Sequence, residues 1–242
     1  MHNVKLLQVA TMGAAKTIPT IANMAFRYRA GPTWCFSDVN GLVPCADGDR
    51  IQYLRDTSGN ARHLLQTTLA ARPQLVFVGG VWVVRGDGAR TMEWQGTTFS
   101  NTTGLTVGVV YDPPGDATQN DLLMLRDLGL GNTLTMIRAG TVKARFNYTT
   151  SASANIDSVA NWNSARSAFV MSVAANLAFR HKVEGVLMTG TLAGTAVTRD
   201  IGLIQLGNAF GELFDSDIYE VVGYTGSPSD NDFEALYQYL AP

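Results

Sequence analysis

Asp56-Thr57-Ser58-Gly59-Asn60-Ala61-Arg62-His63-Leu64-Leu65-Gln66, closed by Arg72-Pro73, is the stretch on which the reading of this chain turns. Asp and Asn side chains hydrogen-bond backbone groups close by in sequence, so Asp56 and Asn60 suit the corners of a tight turn. Gly59 admits positive φ at no steric cost. Pro73 sets φ at the entry to the next strand. These residues are suited to turn geometry, so the block builds the fold and is not itself a site.

Downstream, short apolar runs alternate with turn clusters. Leu75-Val76-Phe77-Val78 runs into Gly79-Gly80, and Val81-Trp82-Val83-Val84 into Arg85-Gly86-Asp87-Gly88. That last cluster contains an Arg-Gly-Asp tripeptide, read here as a hairpin turn. Leu105 to Tyr111 ends at Asp112-Pro113-Pro114-Gly115, and a hairpin is predicted from Leu134–Arg138 and Val142–Tyr148 around Ala139-Gly140. Ser167–Val173, His181–Met188 with a turn at Glu184-Gly185, and Ile218–Tyr224 add further strands. Strands this short and closely spaced predict an all-β sandwich or jelly roll, two antiparallel sheets of about six or seven strands each. One helix ends the pattern. Ser229 is its N-cap, Asp230, Asp232 and Glu234 suit its positive end, and Phe233, Leu236, Tyr237 and Leu240 form one apolar stripe.

Upstream, residues 1–31 read as an N-terminal arm preceding a sandwich domain over 32–242. Val4–Val9 suits a short strand, Gly13–Lys16 and Pro19 break any long helix, and Ile21–Arg29 alternates near its end. Phe26, Arg27, Tyr28 and Arg29 are the candidate anchor to a larger particle, since aromatics and Arg dominate interface hot spots. An ordinary edge strand of the same domain is the competing reading.

The totals exclude several classes. The chain has 242 residues, 46% hydrophobic and 16% charged, with a net charge of −2. No Lys/Arg block offers a nucleic-acid footprint, and no apolar run approaches the roughly 18 residues of a membrane span. Met1–Ala15 faintly resembles a signal peptide, but Gln8 and Thr11 interrupt it, so no cleaved signal is expected. Cys35 and Cys45 could pair across a short loop and are read as two separate thiols.

Three segments together carry a resemblance. They are Trp34-Cys35-Phe36-Ser37-Asp38-Val39; Gly48-Asp49-Arg50-Ile51 through Asn60, Gln66 and Arg72-Pro73; and a closure. The closure comprises Leu206-Gly207-Asn208, Phe214, Asp217-Ile218-Tyr219-Glu220-Val221, and Ser227-Pro228-Ser229 leading to Leu236–Ala241. They resemble the concanavalin A-like lectin/glucanase superfamily in its laminin-G-like form, and the opening block is similar to that of phage and prophage virion proteins. The resemblance implies a concanavalin A-like β-sandwich with a short C-terminal helix. It also implies a non-enzymatic virion accessory protein, tail-associated or capsid-decorating, made in the host cytoplasm and displayed on the particle surface. Its partners would be other virion proteins, further copies of itself, and a host-surface glycan. A glycan-binding lectin or adhesin outside any particle is the alternative, and a polysaccharide lyase or hydrolase a third reading.

Catalytic chemistry is not expected. The superfamily's glucanases carry Glu-x-Asp-x-x-Glu along one strand, and here Glu93, Glu184, Glu212, Glu220 and Glu234 are isolated. His2, His63 and His181 are far apart, and there is no Gly-x-Ser-x-Gly. Calcium is the only cofactor considered, at Asp112, Asp116, Asn120 and Asp121, which place oxygen ligands along one predicted loop; turn formation explains the same residues. Glycan contacts are placed at Asn147, Tyr148, Asn161, Trp162 and Asn163, an aromatic platform with amides beside it; the competing reading is a core role, since Trp162 also matches a structural aromatic of the resembled family. Trp82 and Trp94 are expected in the core.

Overall fold

The computed structural model describes residues 16–88, 90–112, 120–128, 133–139, 143–149, 153–157, 166–195, 198, 200–207 and 214–241. In chain order the strands begin with β1 (Met24–Arg29), β2 (Cys35–Phe36), β3 (Tyr53–Leu54), β4 (Leu64–Leu65), β5 (Gln74–Val78) and β6 (Val81–Arg85). Next come β7 (Met92–Ser100), β8 (Gly104–Asp112), β9 (Asn120–Asp127), β10 (Thr133–Ala139), β11 (Lys143–Thr149) and β12 (Ser153–Asp157). The last are β13 (Ser167–Ala174), β14 (Ala178–Val183), β15 (Val186–Thr191), β16 (Asp200–Leu206) and β17 (Asp217–Thr225), followed by helix α1 (Asp230–Leu240).

The strands form two antiparallel sheets. The first runs β15-β14-β13-β8-β17-β6-β5 and has β1 also paired to β17; the second runs β12-β11-β10-β9-β16-β7-β4-β3-β2. This is the all-β sandwich expected from the sequence, with eight and nine strands among the described residues rather than six or seven. Three of the extra strands, β2 to β4, are only two residues long. The predicted hairpin of β10 and β11 is present, with Met136 opposite Phe146. No described helix is long and apolar enough to cross a membrane.

The main core lies between the sheets. Val107, Val109 and Tyr111 of β8, Phe169 and Met171 of β13, and Val221 of β17 meet Leu123 and Leu125 of β9 and Ile204 of β16 there. The alternate residues of the first sheet, Val110, Val170 and Val222, face outward and are covered by Phe233, Leu236, Tyr237 and Leu240 of α1. The stripe read from the sequence is thus the buried face of the helix. Ser229 caps it, accepting from Asp232 N at 3.2 Å.

The region read as an arm needs correcting. From Met24 onward it is a strand of the sandwich, pairing with β17 from Met24↔Tyr224 to Arg29↔Glu220. Phe26 and Tyr28 have 0% and 1% of their surface exposed and stack at 5.6 Å. Burial of such side chains contributes about 1.5–3 kcal/mol each. They are core residues and do not form an outward anchor. Arg27, on the outer face, ion-pairs Glu220 at 2.7 Å, and Arg29 is the most exposed of the four. The strand expected over 4–9 lies outside the described residues.

The Asp56 block holds β1 in place. The Asp56 carboxylate accepts from the backbone N–H of Arg27 at 2.9 Å, Ser58 at 2.9 Å and Arg62 at 3.0 Å, and from the Ser58 hydroxyl at 2.8 Å. Asn60 Nδ2 donates to the carbonyls of Met24 at 2.8 Å and Ala25 at 3.0 Å. Gly59 takes φ +93°, as its place in the turn suggested. Further on, Gln66 Nε2 donates to Thr91 O at 3.1 Å and Arg72 Nε to Gln66 O at 2.9 Å, tying the block to the approach to β7. Cys35 and Cys45 are buried free thiols.

Candidate functional site: a cleft where the first sheet forks

β17 has two partners along the same edge. Its first residues, Asp217 and Ile218, pair with β6, and Glu220 to Tyr224 pair with β1, with a register irregularity against β8 between Ile218 and Glu220. A bulge bends a strand and re-aims side chains. Here β1 and β6 part around it, and the last turn of α1 stops beside the gap. The result is a cleft of about 320 Å³ on the outer face of the first sheet. Val110 lies at its base. Trp82, Tyr219 and Tyr239 supply aromatic surface, and Arg29, Arg166, Glu220 and Lys16 supply charge. Lys16 also closes the end of α1, its Nζ donating to the carbonyls of Gln238 and Ala241, where a cation complements the helix dipole.

Glu220 is fully engaged. It accepts from Arg27 Nε at 2.7 Å and from the Tyr239 hydroxyl at 2.9 Å, while Arg27 Nη2 donates to the Tyr239 oxygen at 2.6 Å. Burial opposes the charge on Arg27, but Glu220 and Tyr239 outweigh it and hold its pKa above the ordinary value. Burial, then the Glu220 charge, pushes the Tyr239 phenol up. Tyr239 therefore stays a neutral hydrogen-bonding phenol at ordinary pH.

Behind the cleft, Asp112 of β8 and Asp217 of β17 are direct cross-strand partners, and Arg85 is opposite Asp217 on the other side. Two carboxylates brought together invite comparison with a glycosidase pair, and no sequence spacing revealed it. Both Asp217 oxygens, however, accept from Arg85, at 2.7 and 2.6 Å. Burial, then the Asp217 charge, raises the pKa of Asp112, and the charges of Arg166 and Arg85 partly offset this. The pair acts as counter-ions within a row of alternating sign. Arg166 lies over the Tyr219 ring at 4.3 Å, and its Nε is buried without a hydrogen bond.

None of the glycan or calcium candidates read from the sequence is among the described residues that line the cleft. Asn147 and Tyr148 are adjacent on β11, and adjacent strand residues belong to opposite faces. Asn147 is in register with Thr135 and Asn155, and Tyr148 with Leu134 and Ala154. The next strand pairs Leu134 with Leu125, a buried core residue. Asn161, Trp162 and Asn163 lie outside the described residues, as does Asp116. Asp112 ends a strand of the first sheet, whereas Asn120 and Asp121 begin β9 in the second, so these three candidates belong to strands of different sheets.

Trp82 is only partly buried. It packs on the core at one side, contacts Phe77 at 4.9 Å between ring centroids, and lines the cleft. Of the lining residues, only Arg29 stands out in the sequence as a candidate contact. Tyr219, Glu220 and Tyr239 sit in the closure that marked the fold, and no local signal joins them to Trp82 and Arg166.

No family model and no curated protein matches the chain. Solved structures do. A Trypanosoma rangeli sialidase in complex with sialic acid aligns with TM-score 0.58 at 13% identity, over 91% of this chain and 33% of that one. The binding domain of botulinum neurotoxin serotype G aligns with TM-score 0.56 at 8% identity, over 77% and 48% of the two chains. A mutant GH54 arabinofuranosidase soaked with 4-nitrophenyl arabinofuranoside aligns with TM-score 0.53 at 15% identity, over 79% and 50%. The chain thus spans about a third of the sialidase and half of the other two. At these identities the likeness is one of fold: this chain shares the β-sandwich architecture of these structures.

Proposed function

We propose that this protein is a non-catalytic carbohydrate-binding domain and that the cleft at the β17 fork is its binding site. The observation that carries the reading is the make-up of that cleft: an accessible indole, Trp82, beside fixed hydrogen-bonding and charged groups on a rigid sheet. Sugars are bound by stacking their apolar face on an aromatic ring while polar groups fix the hydroxyls. The nearby carboxylates are tied to arginines, which suits binding better than hydrolysis. Proteins of the same fold include ones solved with saccharides, which supports the class of ligand. A glycan array with the wild type and Trp82→Ala tests the proposal. Hits that Trp82→Ala loses, with no release of reducing ends from the bound glycans, are expected. Hits retained by Trp82→Ala place the site elsewhere, and reducing-end release refutes the non-catalytic reading.

The setting we infer is a phage particle, with this domain as an accessory protein facing the host surface. That inference rests on the resemblance of the Asp56–Pro73 block. Immunogold labelling of purified particles from the source lysate checks it. Label only in the soluble fraction favours a free lectin.

A further inference from the structure

We infer that the ligand is an acidic saccharide, its anionic group held by Arg29 and Arg166 while a sugar ring stacks on Trp82. This rests on the cleft being a carbohydrate site and goes further, to the charge of what it binds.

Charge and the occupancy of each charged group point the same way. Among the described residues four charged side chains line the cleft: Lys16, Arg29 and Arg166 are cationic and Glu220 is anionic. The charged groups immediately behind it are Arg27 and Arg85 against Asp112 and Asp217, which cancel. Among the described residues the cleft therefore keeps an excess of two positive charges, in a protein whose net charge is −2. Glu220 makes only a long ion pair with Arg29, 3.9 Å from Nε, while its hydrogen bonds go to Arg27 and Tyr239. Arg29 has 41% of its side chain exposed and lies over Trp34 at 5.7 Å, so its position is set and its edge is open. Arg166 also lines the cleft, its guanidinium carbon 4.3 Å from the centroid of the Tyr219 ring. A planar guanidinium fork matches a carboxylate or a sulfate, so the chemistry fixed here is that of a sugar oxyanion.

Calorimetry on the full chain tests this with uronate, sialylated and sulfated oligosaccharides, each beside its neutral parent, and with inorganic sulfate alone. At least one acidic member is expected to bind about tenfold or more tighter than its parent, with the advantage shrinking as salt rises. Whether the carboxylate or the sulfate members win identifies the anion. Arg29→Gln and Arg166→Gln should each remove most of that advantage, and Arg166→Lys should keep part of it. Unfolding midpoints show which variants fold; if Arg166→Gln does not, Arg29→Gln and the salt dependence still decide. Equal affinity for acid and parent, unchanged in both Gln variants and lost in Trp82→Ala, overturns the acidic specificity and leaves the carbohydrate site standing. Binding of inorganic sulfate as tightly as any sugar, or of no sugar at all, overturns both.

Discussion

Removing the Asp56 carboxylate should loosen β1 from the rest of the sandwich, and the structure sets the size of the effect. Asp56 is 5% exposed and accepts four hydrogen bonds, three from backbone N–H groups and one from Ser58 Oγ. A hydrogen bond to a charged group contributes about 1.5–3 kcal/mol net. The four are not additive, because they share one acceptor and because opening the loop lets water reach the Ser58 and Arg62 amides. A loss of about 4 kcal/mol is the result for Asp56→Ala, a large share of the roughly 5–15 kcal/mol that holds a domain folded. Asp56→Asn keeps one oxygen for the Arg27 and Ser58 amides but turns an NH2 toward the Arg62 N–H and should lose about 2 kcal/mol. Equilibrium urea unfolding followed by tryptophan fluorescence measures both, the change being read from the midpoint at constant slope. An Asp56→Ala protein within about 1 kcal/mol of the wild type, at unchanged slope, would refute the claim that this block clamps the strand.

Gly223→Ala should cost about 2 kcal/mol, because a Cβ there would collide with the Phe26 ring across the β1–β17 pair; thermal or urea unfolding checks it, and the small companion Phe26→Leu should relieve part of the loss. Ser229→Ala removes the cap on α1 and should cost about 1 kcal/mol in the same assay. Burial pushes the thiols of Cys35 and Cys45 up to about 12 from 9.0. Both should resist a thiol reagent in the native state and react on unfolding. Because the unfolded thiols ionise first, their contribution to stability is intact below pH 9.0 and lost as pH climbs towards about 12. Unfolding midpoints measured through that range should fall for the wild type and fall less for a Cys35→Ala, Cys45→Ala protein.

Much of the fold is legible because it is written locally. The turn chemistry of Asp56, Gly59 and Asn60, the runs of β5, β6, β8, β13 and β17, and the stripe of α1 all act over a few residues. β9 escapes a reading by periodicity because Leu122, Leu123, Met124 and Leu125 are all buried, so the run does not alternate. β7 escapes it for the opposite reason: Gln95 to Thr98 are exposed and interrupt its apolar residues. The place of β1 is ambiguous because Phe26-Arg27-Tyr28-Arg29 suits an interface or an edge strand equally, and only its pairing with β17, distant in sequence, decides. The cleft is not legible at all. It gathers Arg29, Trp82, Arg166, Tyr219 and Tyr239 from five separate parts of the chain, and its shape comes from an irregularity in strand pairing that no residue type announces.

Whether this cleft is where the protein meets its ligand is tested most directly by amide chemical-shift mapping on deuterated protein, titrated with the tightest hit from the array. Shifts are predicted to concentrate at Arg29–Ala30, Val81–Trp82, Arg166, Tyr219–Glu220 and Tyr239–Ala241, saturating together at one dissociation constant. Shifts clustered instead on β10, β11 and β12 of the second sheet, with the fork unmoved, would contradict the assignment.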